Sequence, residues 1–299
     1  MTATPFDPPG DAVRSAVALA LAEDIGPLGD ITAALVPEDV RARCALVARR
    51  PGVLAGRRCA QAAFDSVDPG LSVRWLRADG DLVDGGEVIA EVEGPMRSLL
   101  TAERTALNFL CRLSGVATLT RRFVDAVHEA NPAARVLDTR KTTPGLRALE
   151  KAAVRAGGGT NHRASLSDAV LVKDNHLAGT TIADAVRDAR RLWPGRMVEV
   201  ECDTPAQVEE AVDAGASVVM LDNMKPDEVA DCVARIRARG GTGPGGETVL
   251  VEVSGGLTLD SAPAYAAAGA DLLSVGALTH SAPALDIGLD VVVHDQRGG

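Results

Sequence analysis

From residue 135 to residue 275, short apolar runs alternate regularly with segments of helical spacing. The apolar runs predict six strands, at residues 135–137, 169–172, 197–200, 218–221, 249–253 and 272–275. The segments between them predict helices of roughly 10 to 15 residues, a length typical of βαβ units. Because such repeats place their strands side by side, the pattern predicts either a parallel α/β barrel or an open doubly wound sheet.

The pattern before residue 135 is mixed. Residues 11–23 have the apolar spacing of a helix, and residues 42–94 contain short strand-like runs separated by turn residues. Residues 98–130 predict more than one helix, with a break near Ser114 and Gly115. Later in the chain, the glycine-rich residues 240–246 predict a flexible surface loop.

Composition narrows the class of protein. The chain has 299 residues, a net charge of −10 and only 2% aromatic residues. A nucleic-acid-binding surface needs a basic face and often aromatic stacking groups, so no nucleic-acid partner is expected. The five cysteines include no C-x-x-C pair, which favours reduced thiols in a cytoplasmic protein over a disulfide framework or a zinc site. Neither a signal peptide nor a long apolar segment is visible, so no membrane partner is expected.

Lysine is rare and clustered in this chain. Only four of its 31 basic residues are lysines, and Lys141, Lys151 and Lys173 fall within one short stretch. Lysine is a compact, strongly hydrated point charge, so its use in an arginine-rich sequence indicates a place where a generic cation would not serve. The same stretch also contains Arg140, Arg147, Arg155, His162 and Arg163. This local positive charge in an acidic protein predicts a pocket for a small, multiply anionic ligand.

Polar or glycine residues follow each predicted strand, at the end where the active sites of parallel α/β proteins are built. The first two strands are followed by cations, including Arg140, Lys141 and Lys173, and the middle two end at Glu201 and Asp222. The last two are followed by glycine-rich turns before helices, whose backbone N–H groups suit a phosphate. The order of charges predicts an anionic acceptor together with a phosphorylated sugar.

Several motifs resemble those of the quinolinate phosphoribosyltransferase family, whose members are also called carboxylating nicotinate-nucleotide pyrophosphorylases. The motifs are residues 137–147 (LDTRKTTPGLR), 157–163 (GGGTNHR), 172–176 (VKDNH), 199–202 (EVEC), 220–224 (MLDNM), 252–256 (EVSGG) and 274–280 (SVGALTH). They are long, they occur in order, and the resemblance extends over nearly the whole chain.

The resemblance implies a fold of class α/β, with an N-terminal α/β sandwich domain followed by an open, incomplete TIM-like parallel α/β barrel. We therefore expect the sandwich at residues 1–114, joined by the C-terminal segment 280–299, and the barrel at residues 115–279. The resemblance also implies a homodimer in which the N-terminal domain of one subunit caps the barrel of the other. A hexamer is left open.

The resemblance further implies the activity and the residues that perform it. The enzyme, a pentosyltransferase of de novo NAD biosynthesis, would transfer the phosphoribosyl group of phosphoribosyl pyrophosphate to quinolinate with decarboxylation. The products would be nicotinate mononucleotide, pyrophosphate and CO₂. Lys141, Glu201 and Asp222 would be catalytic, and Glu201 and Asp222 would hold Mg²⁺ directly or indirectly.

Binding residues are implied in three groups. The carboxylates of quinolinate would meet Arg140, His162, Arg163 and Lys173, with Arg104 reaching the site of the neighbouring subunit. Phosphoribosyl pyrophosphate would meet Lys141, His176, Glu201 and Asp222. Thr139 would also contact substrate. The 5′-phosphate would lie on two backbone segments, Ser254, Gly255 and Gly256 and then Val275, Gly276 and Ala277.

Other interpretations of the same residues stay open. Arg140 and Lys141 could form a solvated turn, His162 could be a core histidine, and Glu201 and Asp222 could pair with basic neighbours for structural reasons. For Arg147, Lys151 and Arg155, whose spacing is helical, a solvated helix face is the favoured interpretation, except that Arg147 could add to the pocket. As functions, a Schiff-base aldolase using Lys173 and a non-catalytic metabolite-binding protein remain alternatives.

Overall fold

The computed structural model describes residues 6–292, which form two compact units. The strands are β1 (Arg41–Ala48), β2 (Gly52–Val53), β3 (Ser72–Trp75), β4 (Leu82–Val83), β5 (Val88–Pro95), β6 (Arg135–Leu137), β7 (Val170–Val172), β8 (Val198–Cys202), β9 (Val218–Asp222), β10 (Leu250–Ser254), β11 (Leu272–Ser274) and β12 (Ile287–Val292). The helices are α1 (Gly10–Ile25), α2 (Arg57–Val67), α3 (Met96–Ala130), α4 (Arg147–Ala156), α5 (Ile182–Leu192), α6 (Pro205–Ala214), α7 (Pro226–Ala238), α8 (Ala262–Ala267) and α9 (Ala277–His280). Two 3₁₀ turns lie at Ala33–Leu35 and Asp174–His176.

The first unit, here called the N-terminal unit, contains residues 6–121, 142–158 and 277–292 of the described chain. Its main sheet is antiparallel, with strand order β12-β1-β5-β3, and β2 pairs with β4 in a separate ribbon. The second half of β1 is apolar and buried, as are Ile89, Ala90 and Val92 of β5, while α1 packs against α2 and α4. β12 pairs with β1, so this C-terminal strand belongs to the same sheet; the rest of the expected segment 280–299, after residue 292, lies outside the described residues.

The predicted break near Ser114 and Gly115 is wrong, because α3 is continuous through both residues. The Ser114 hydroxyl is fully buried and both donates to the Ala55 carbonyl and accepts from the Ala55 N–H. A Cβ atom at position 115 would overlap the carbonyl oxygen of Pro283 and lie 2.9 Å from Ala284 Cα. The two residues are small because the chain packs closely against the helix there, not because the helix ends.

A second expectation, a solvated face for α4, is also wrong. Seven of the ten residues of α4 are buried, including Glu150 and Lys151, so the helix is enclosed on most of its circumference. Arg147 and Arg155 are half-buried, and the Arg155 guanidinium donates to the Asp7 carbonyl oxygen. Helical spacing of cations indicated a surface, but the apolar residues between them place the helix inside the unit.

The second unit, here called the barrel unit, contains residues 122–141 and 159–276. Its six strands are all parallel, with spatial order β6-β11-β10-β9-β8-β7. Neighbouring strands from β7 to β11 are consecutive in sequence and β6 returns beside β11, which is the order of a barrel whose seam between β6 and β7 is open. This order confirms the fold class expected from the sequence and excludes the doubly wound alternative, whose strand order reverses.

The strand predictions are confirmed with small shifts of their ends. β6 has the predicted limits, and the other five differ from the predicted runs by one or two residues at an end. In β8, β9 and β10 the buried residues are apolar apart from Glu199 and Glu252, as expected for strands covered on both faces. Residues 240–246 lie mostly at the surface, and the Val249 N–H there donates to the Gly241 carbonyl. Within residues 6–292, no helix combines the length and the apolar character that crossing a membrane requires.

Candidate active site

A cavity of about 590 Å³ opens at the carboxyl ends of the barrel strands. The strand register brings these ends together, because Ser254 of β10 lies beside Asp222 of β9, and Ser274 of β11 lies beside Leu137 of β6. The lining residues are Thr139, Arg140, Lys141, His162, Arg163, Leu171, Lys173, Glu201, Met220, Asp222, Asn223, Ser254, Gly255, Gly256 and Ser274. Eleven of these are residues for which the sequence predicts a role in the site.

The remaining predicted residues lie elsewhere in the described chain. Arg104 is exposed on α3 in the N-terminal unit. His176 is exposed in a 3₁₀ turn, and its Nδ1 atom accepts a hydrogen bond from the Lys173 N–H at 3.0 Å. Val275 is buried and its N–H donates to the Leu137 carbonyl, while Gly276 precedes α9 and Ala277 is its first residue.

Three of the cavity cations come from two places in the barrel unit. Arg140 follows β6, and Arg163 and Lys173 precede and follow β7. Burial and the nearby positive charge of Arg140 lower the pKa of Arg163, while Glu199 and Asp168 act in the opposite direction. The Arg163 guanidinium is also tethered to the carbonyl of Ala169 at 3.3 Å. Two neighbouring guanidinium groups that are partly desolvated favour an anion between them.

The two carboxylates of the cavity are held by different partners. Glu201, on β8, forms an ion pair with Lys173, whose own side chain is 40% exposed. Asp222, at the end of β9, accepts a hydrogen bond from the Asn223 amide at 2.6 Å. Both residues are therefore oriented by neighbours, and both keep part of their carboxylate surface towards the cavity. The structural pairing that the sequence left open for Glu201 does occur, and its partner is itself a cavity residue.

A turn after β10 contributes backbone to the cavity wall. Gly255 and Gly256 have φ angles of 100° and 56°, and a Cβ atom at position 255 would overlap Asn223 Oδ1. Asn223 itself has a φ angle of 54°, a left-handed conformation that asparagine tolerates better than most residues, and its N–H donates to the Ser254 carbonyl. The expected helix does not follow this turn directly, because α8 begins only at Ala262.

The fully buried Asp138 fixes the loop that carries His162. Its two carboxylate oxygens accept hydrogen bonds from the Asn161 amide at 2.6 Å and from the His162 N–H at 2.9 Å. The loop is also joined to the sheet, because Thr160 forms a parallel bridge with Leu137. Asp138 thus links the end of β6 to the backbone of His162.

Beneath the cavity lies a buried cluster of three ionisable residues, His162, Glu199 and Glu252. His162 Nε2 lies 3.0 Å from Glu199 Oε2 and 3.6 Å from Glu252 Oε2, and the His162 side chain is 8% exposed. Burial, followed by the negative charge of Glu199, raises the pKa of Glu252 to about 8, whereas His162 acts to lower it. Glu252 is therefore protonated at neutral pH, which relieves repulsion between two adjacent buried carboxylates.

Sequence reasoning did not assign a role to Glu199, Glu252, Leu171, Met220, Asn223 or Ser274. A signal for the two glutamates was present, since Glu199 precedes Glu201 by two residues and Glu252 precedes Ser254 by two. Residues two apart on a strand face the same side of the sheet, so both glutamates point in the direction of the cavity residues. A charged residue inside a buried apolar strand also needs a partner.

Comparisons with known proteins give one consistent result. Residues 30–114 match the family model for the N-terminal domain of quinolinate phosphoribosyl transferase, and residues 116–290 match the model for its C-terminal domain. The chain is 43% identical over 285 residues to the nicotinate-nucleotide pyrophosphorylase (carboxylating) of Mycobacterium leprae, with 94% of this chain and 98% of that protein covered. It is 37% identical over 302 residues to quinolinate phosphoribosyltransferase (decarboxylating) 1b of Nicotiana tabacum, with 93% and 82% covered.

A solved structure agrees with the sequence comparisons. The nicotinate-nucleotide pyrophosphorylase of Francisella tularensis superposes with a TM-score of 0.88 at 38% identity, covering 97% of this chain and 100% of that one.

Proposed function

Since the chain belongs to the quinolinate phosphoribosyl transferase family, we propose that it transfers the phosphoribosyl group of phosphoribosyl pyrophosphate to quinolinate, with loss of CO₂. The products are nicotinate mononucleotide, pyrophosphate and CO₂, so the protein is a pentosyltransferase of de novo NAD biosynthesis. One observation carries the proposal: cations, carboxylates and a glycine turn from different strands line a single cavity.

The acceptor end of the cavity is the cationic one. Quinolinate is a dianion, and burying its carboxylates without partners would cost several kcal/mol. Arg140 and Arg163 offer planar two-point contacts to carboxylate, and Lys173 offers a point charge. Each charge-assisted hydrogen bond contributes about 1.5–3 kcal/mol, so three cations select a dicarboxylate over a monocarboxylate.

The phosphoribosyl end of the cavity is formed by the later strands. The 5′-phosphate lies on the backbone of Ser254, Gly255 and Gly256, whose left-handed glycines leave N–H groups accessible to an anion. Lys141 and Thr139, at the rim, meet the pyrophosphate, and the Lys141 N–H is held by the Thr139 hydroxyl at 3.0 Å. Lys141 acts as an electrostatic group and not as a nucleophile.

Glu201 and Asp222 fit a magnesium complex of phosphoribosyl pyrophosphate. Mg²⁺ prefers oxygen ligands and is usually held by one or two carboxylates together with phosphate oxygens and water. When bound, the ion neutralises negative charge on the leaving pyrophosphate. The two residues provide such oxygens on neighbouring strands of the cavity.

The reaction uses the charges of the cavity in order. As the pyridine nitrogen attacks the anomeric carbon and pyrophosphate departs, positive charge develops on the ribose, and Glu201 and Asp222 stabilise it. Bond formation makes the ring nitrogen cationic. The adjacent carboxylate then leaves as CO₂, and the electron pair of the broken C–C bond stays on the ring carbon beside the cationic nitrogen. Protonation of that carbon from water yields nicotinate mononucleotide.

The ion pair between Lys173 and Glu201 argues against an aldolase. A Schiff-base lysine must present its amino group to a carbonyl, and the Lys173 amino group is engaged by the Glu201 carboxylate. Reduction with borohydride in the presence of a carbonyl substrate tests this alternative, and a stable adduct at Lys173 would support it.

The direct test is turnover. Purified protein is mixed with quinolinate, phosphoribosyl pyrophosphate and Mg²⁺, and nicotinate mononucleotide and CO₂ are measured, with nicotinate as a competing acceptor. We expect product from quinolinate and little from nicotinate. Binding of quinolinate without release of CO₂ or pyrophosphate would favour the metabolite-binding alternative.

We also propose a homodimer in which Arg104 of one subunit completes the site of the other. Support comes from the exposure of this arginine on α3. Two inactive variants, Arg104→Ala and Asp222→Asn, are mixed after unfolding and refolding together. A shared site predicts that mixed dimers recover activity; no recovery would place Arg104 outside the site. Light scattering of the native protein distinguishes a dimer from a hexamer.

The cytoplasmic location expected from the cysteines is kept as part of the proposal. All five cysteines are free thiols, and four of them are buried. Fractionation of cells with an antibody to the protein tests this location.

A further inference from the structure

Both ring nitrogens of His162 lie close to protein groups, and Nε2 is buried. Nδ1 lies 2.7 Å from the backbone nitrogen of Arg163, and Nε2 lies 3.0 Å from Glu199 Oε2. The ring therefore connects a buried carboxyl group to the backbone of a residue whose guanidinium lines the cavity.

This arrangement fixes the tautomer of the ring. A backbone N–H can only donate, so Nδ1 of His162 must accept and cannot carry a proton. The neutral imidazole then carries its proton on Nε2, which faces the carboxyl oxygens of Glu199 and Glu252. In a doubly protonated ring, the N–H at Nδ1 would point at the Arg163 N–H, and two donors would face each other.

The same argument disfavours a metal ion at this cluster, although the three residues offer a suitable set of ligand atoms. A metal at Nε2 would need its lone pair, and the proton of the neutral ring would then have to be on Nδ1. That position is already used to accept the Arg163 N–H.

We propose that His162 is a positioning residue, which holds Arg163 in place for the substrate carboxylate and packs with Nε2 against the buried carboxyl groups of Glu199 and Glu252. It does not bind the substrate through its own nitrogens. The inference rests on the proposed function, because Arg163 is one of the groups assigned there to quinolinate. The Asp138 carboxylate supports the same arrangement, since it fixes the His162 backbone.

Two conservative variants test the contacts of Nδ1 and Nε2 separately. In His162→Asn, the side-chain oxygen can take the place of Nδ1 and accept the Arg163 N–H. In His162→Gln, the longer amide can take the place of Nε2 and donate to Glu199. Neither side chain can carry a positive charge, so a direct ionic role for His162 would be lost in both.

The kinetic test is a double-mutant cycle between His162 and Arg163. We expect His162→Ala to raise the KM for quinolinate about tenfold, the effect of one hydrogen bond of about 1.4 kcal/mol, and the KM for phosphoribosyl pyrophosphate about twofold at most. The Asn and Gln variants should fall between the wild type and the Ala variant. In an Arg163→Ala background, the further loss caused by His162→Ala should be less than about threefold.

Additive losses in the cycle would overturn the inference, because they would mean that His162 acts on substrate independently of Arg163. Equal losses in the Ala, Asn and Gln variants would also overturn it. Melting curves of every variant show whether a loss reflects misfolding; the Asn and Gln variants keep the test valid if the Ala variant does not fold.

An NMR experiment tests the protonation of the His162 ring without requiring enzyme activity. The ring nitrogens of ¹⁵N-histidine-labelled protein are observed by NMR, with His162 assigned by its absence from the His162→Gln spectrum. We expect a proton on Nε2 only, and no change when Zn²⁺ or Mg²⁺ is added. A proton on Nδ1, a doubly protonated ring or a metal-dependent change would overturn the inference. An Nε2 proton in a protein that does not turn over quinolinate would instead count against the proposed function alone.

Discussion

Lys173 and Glu201 form an ion pair that joins the ends of the adjacent parallel strands β7 and β8. Each belongs to a different group of the cavity, since the lysine is one of the cations that we propose bind the acceptor and the glutamate is one of the two carboxylates. In the absence of substrate the two charges therefore satisfy each other. Under the proposed function, a quinolinate dianion shares Lys173 with Glu201, and acceptor binding is thereby linked to the carboxylate assigned to the ribose.

The first prediction concerns Lys173. Replacing it with Met removes one charge-assisted contact of about 1.5–3 kcal/mol, so the KM for quinolinate should rise about 10- to 100-fold. The matched control is Lys225→Met, since Lys225 is the N-cap of α7 and does not line the cavity. Steady-state kinetics at saturating phosphoribosyl pyrophosphate measure both. Equal effects at the two positions would show that overall charge, and not the cavity contact, is responsible.

The second prediction concerns the glycine turn. Gly255→Ala should raise the KM for phosphoribosyl pyrophosphate about tenfold or more, because the new Cβ atom collides with Asn223 Oδ1 and the residue must keep a φ angle of 100°. A left-handed conformation alone costs a non-glycine residue about 1–2 kcal/mol.

Gly179→Ala controls for that conformational cost. Gly179 has a φ angle of 84°, an added Cβ atom there would meet no other atom within 4 Å, and the residue does not line the cavity. Its substitution should lower stability without changing either KM. If Gly255→Ala behaves in the same way, the turn does not hold the phosphate.

The third prediction is a pH dependence of stability caused by Glu252. Burial raises the pKa of this residue to about 8 in the folded protein, while an unfolded glutamate titrates at about 4.3. Between these values the folded state holds a proton that the unfolded state lacks. Stability should therefore fall by about 1.4 kcal/mol for each unit of pH from about pH 5 towards pH 8, and level off above it.

Glutamine does not titrate, so Glu252→Gln removes this difference in bound protons between the folded and unfolded states. The difference in unfolding free energy between variant and wild type should therefore shift in favour of the variant as pH rises from about 5.5 to about 7.5. Urea unfolding at several pH values measures the difference. Parallel curves for the two proteins would mean that Glu252 is already ionised in the folded state.

The fourth prediction concerns the fully buried Glu150 in the N-terminal unit. Its carboxylate accepts hydrogen bonds from Arg112 at 2.7 and 3.2 Å and from the N–H and hydroxyl of Thr143 at 2.9 and 2.7 Å. Glu150→Ala leaves the Arg112 charge without its carboxylate, so the unfolding free energy should fall by about 3–5 kcal/mol.

An exposed pair gives the matched control for Glu150. Glu209→Ala removes the partner of Arg235, and both side chains of that pair are about half exposed, so the loss should be about 1 kcal/mol at most. Denaturant unfolding measures both variants. Similar losses at the two sites would show that the buried network contributes no more than a surface pair.

Much of the barrel could be predicted from the sequence because its signals are local. Apolar runs located all six strands to within two residues at either end, and strand-end residues predicted most of the cavity lining. The errors arose where a residue's environment depends on distant chain. Gly115 is opposite Pro283, and α4 is enclosed by other elements of its unit, which no helical pattern reveals.

The orientation of His162 illustrates the same limit within the site. Its residue type and motif predict a ligand for the substrate, whereas its close contacts with glutamates of β8 and β10 could not be predicted from any local pattern. Glu199 follows His162 by 37 residues in the sequence, and Glu252 follows it by 90. Only the folded sheet brings them below the ring.

The small number of lysines, together with the burial of Lys151, makes covalent amine labelling unusually easy to interpret. Lys151 is 3% exposed and shielded from reagents, so the side-chain amines that a water-soluble acylating agent can reach are those of Lys141, Lys173 and Lys225. Two of these three line the cavity. Peptide mass spectrometry after brief acylation, with and without each substrate, would therefore report occupancy of the cavity one residue at a time, with Lys225 as an internal standard.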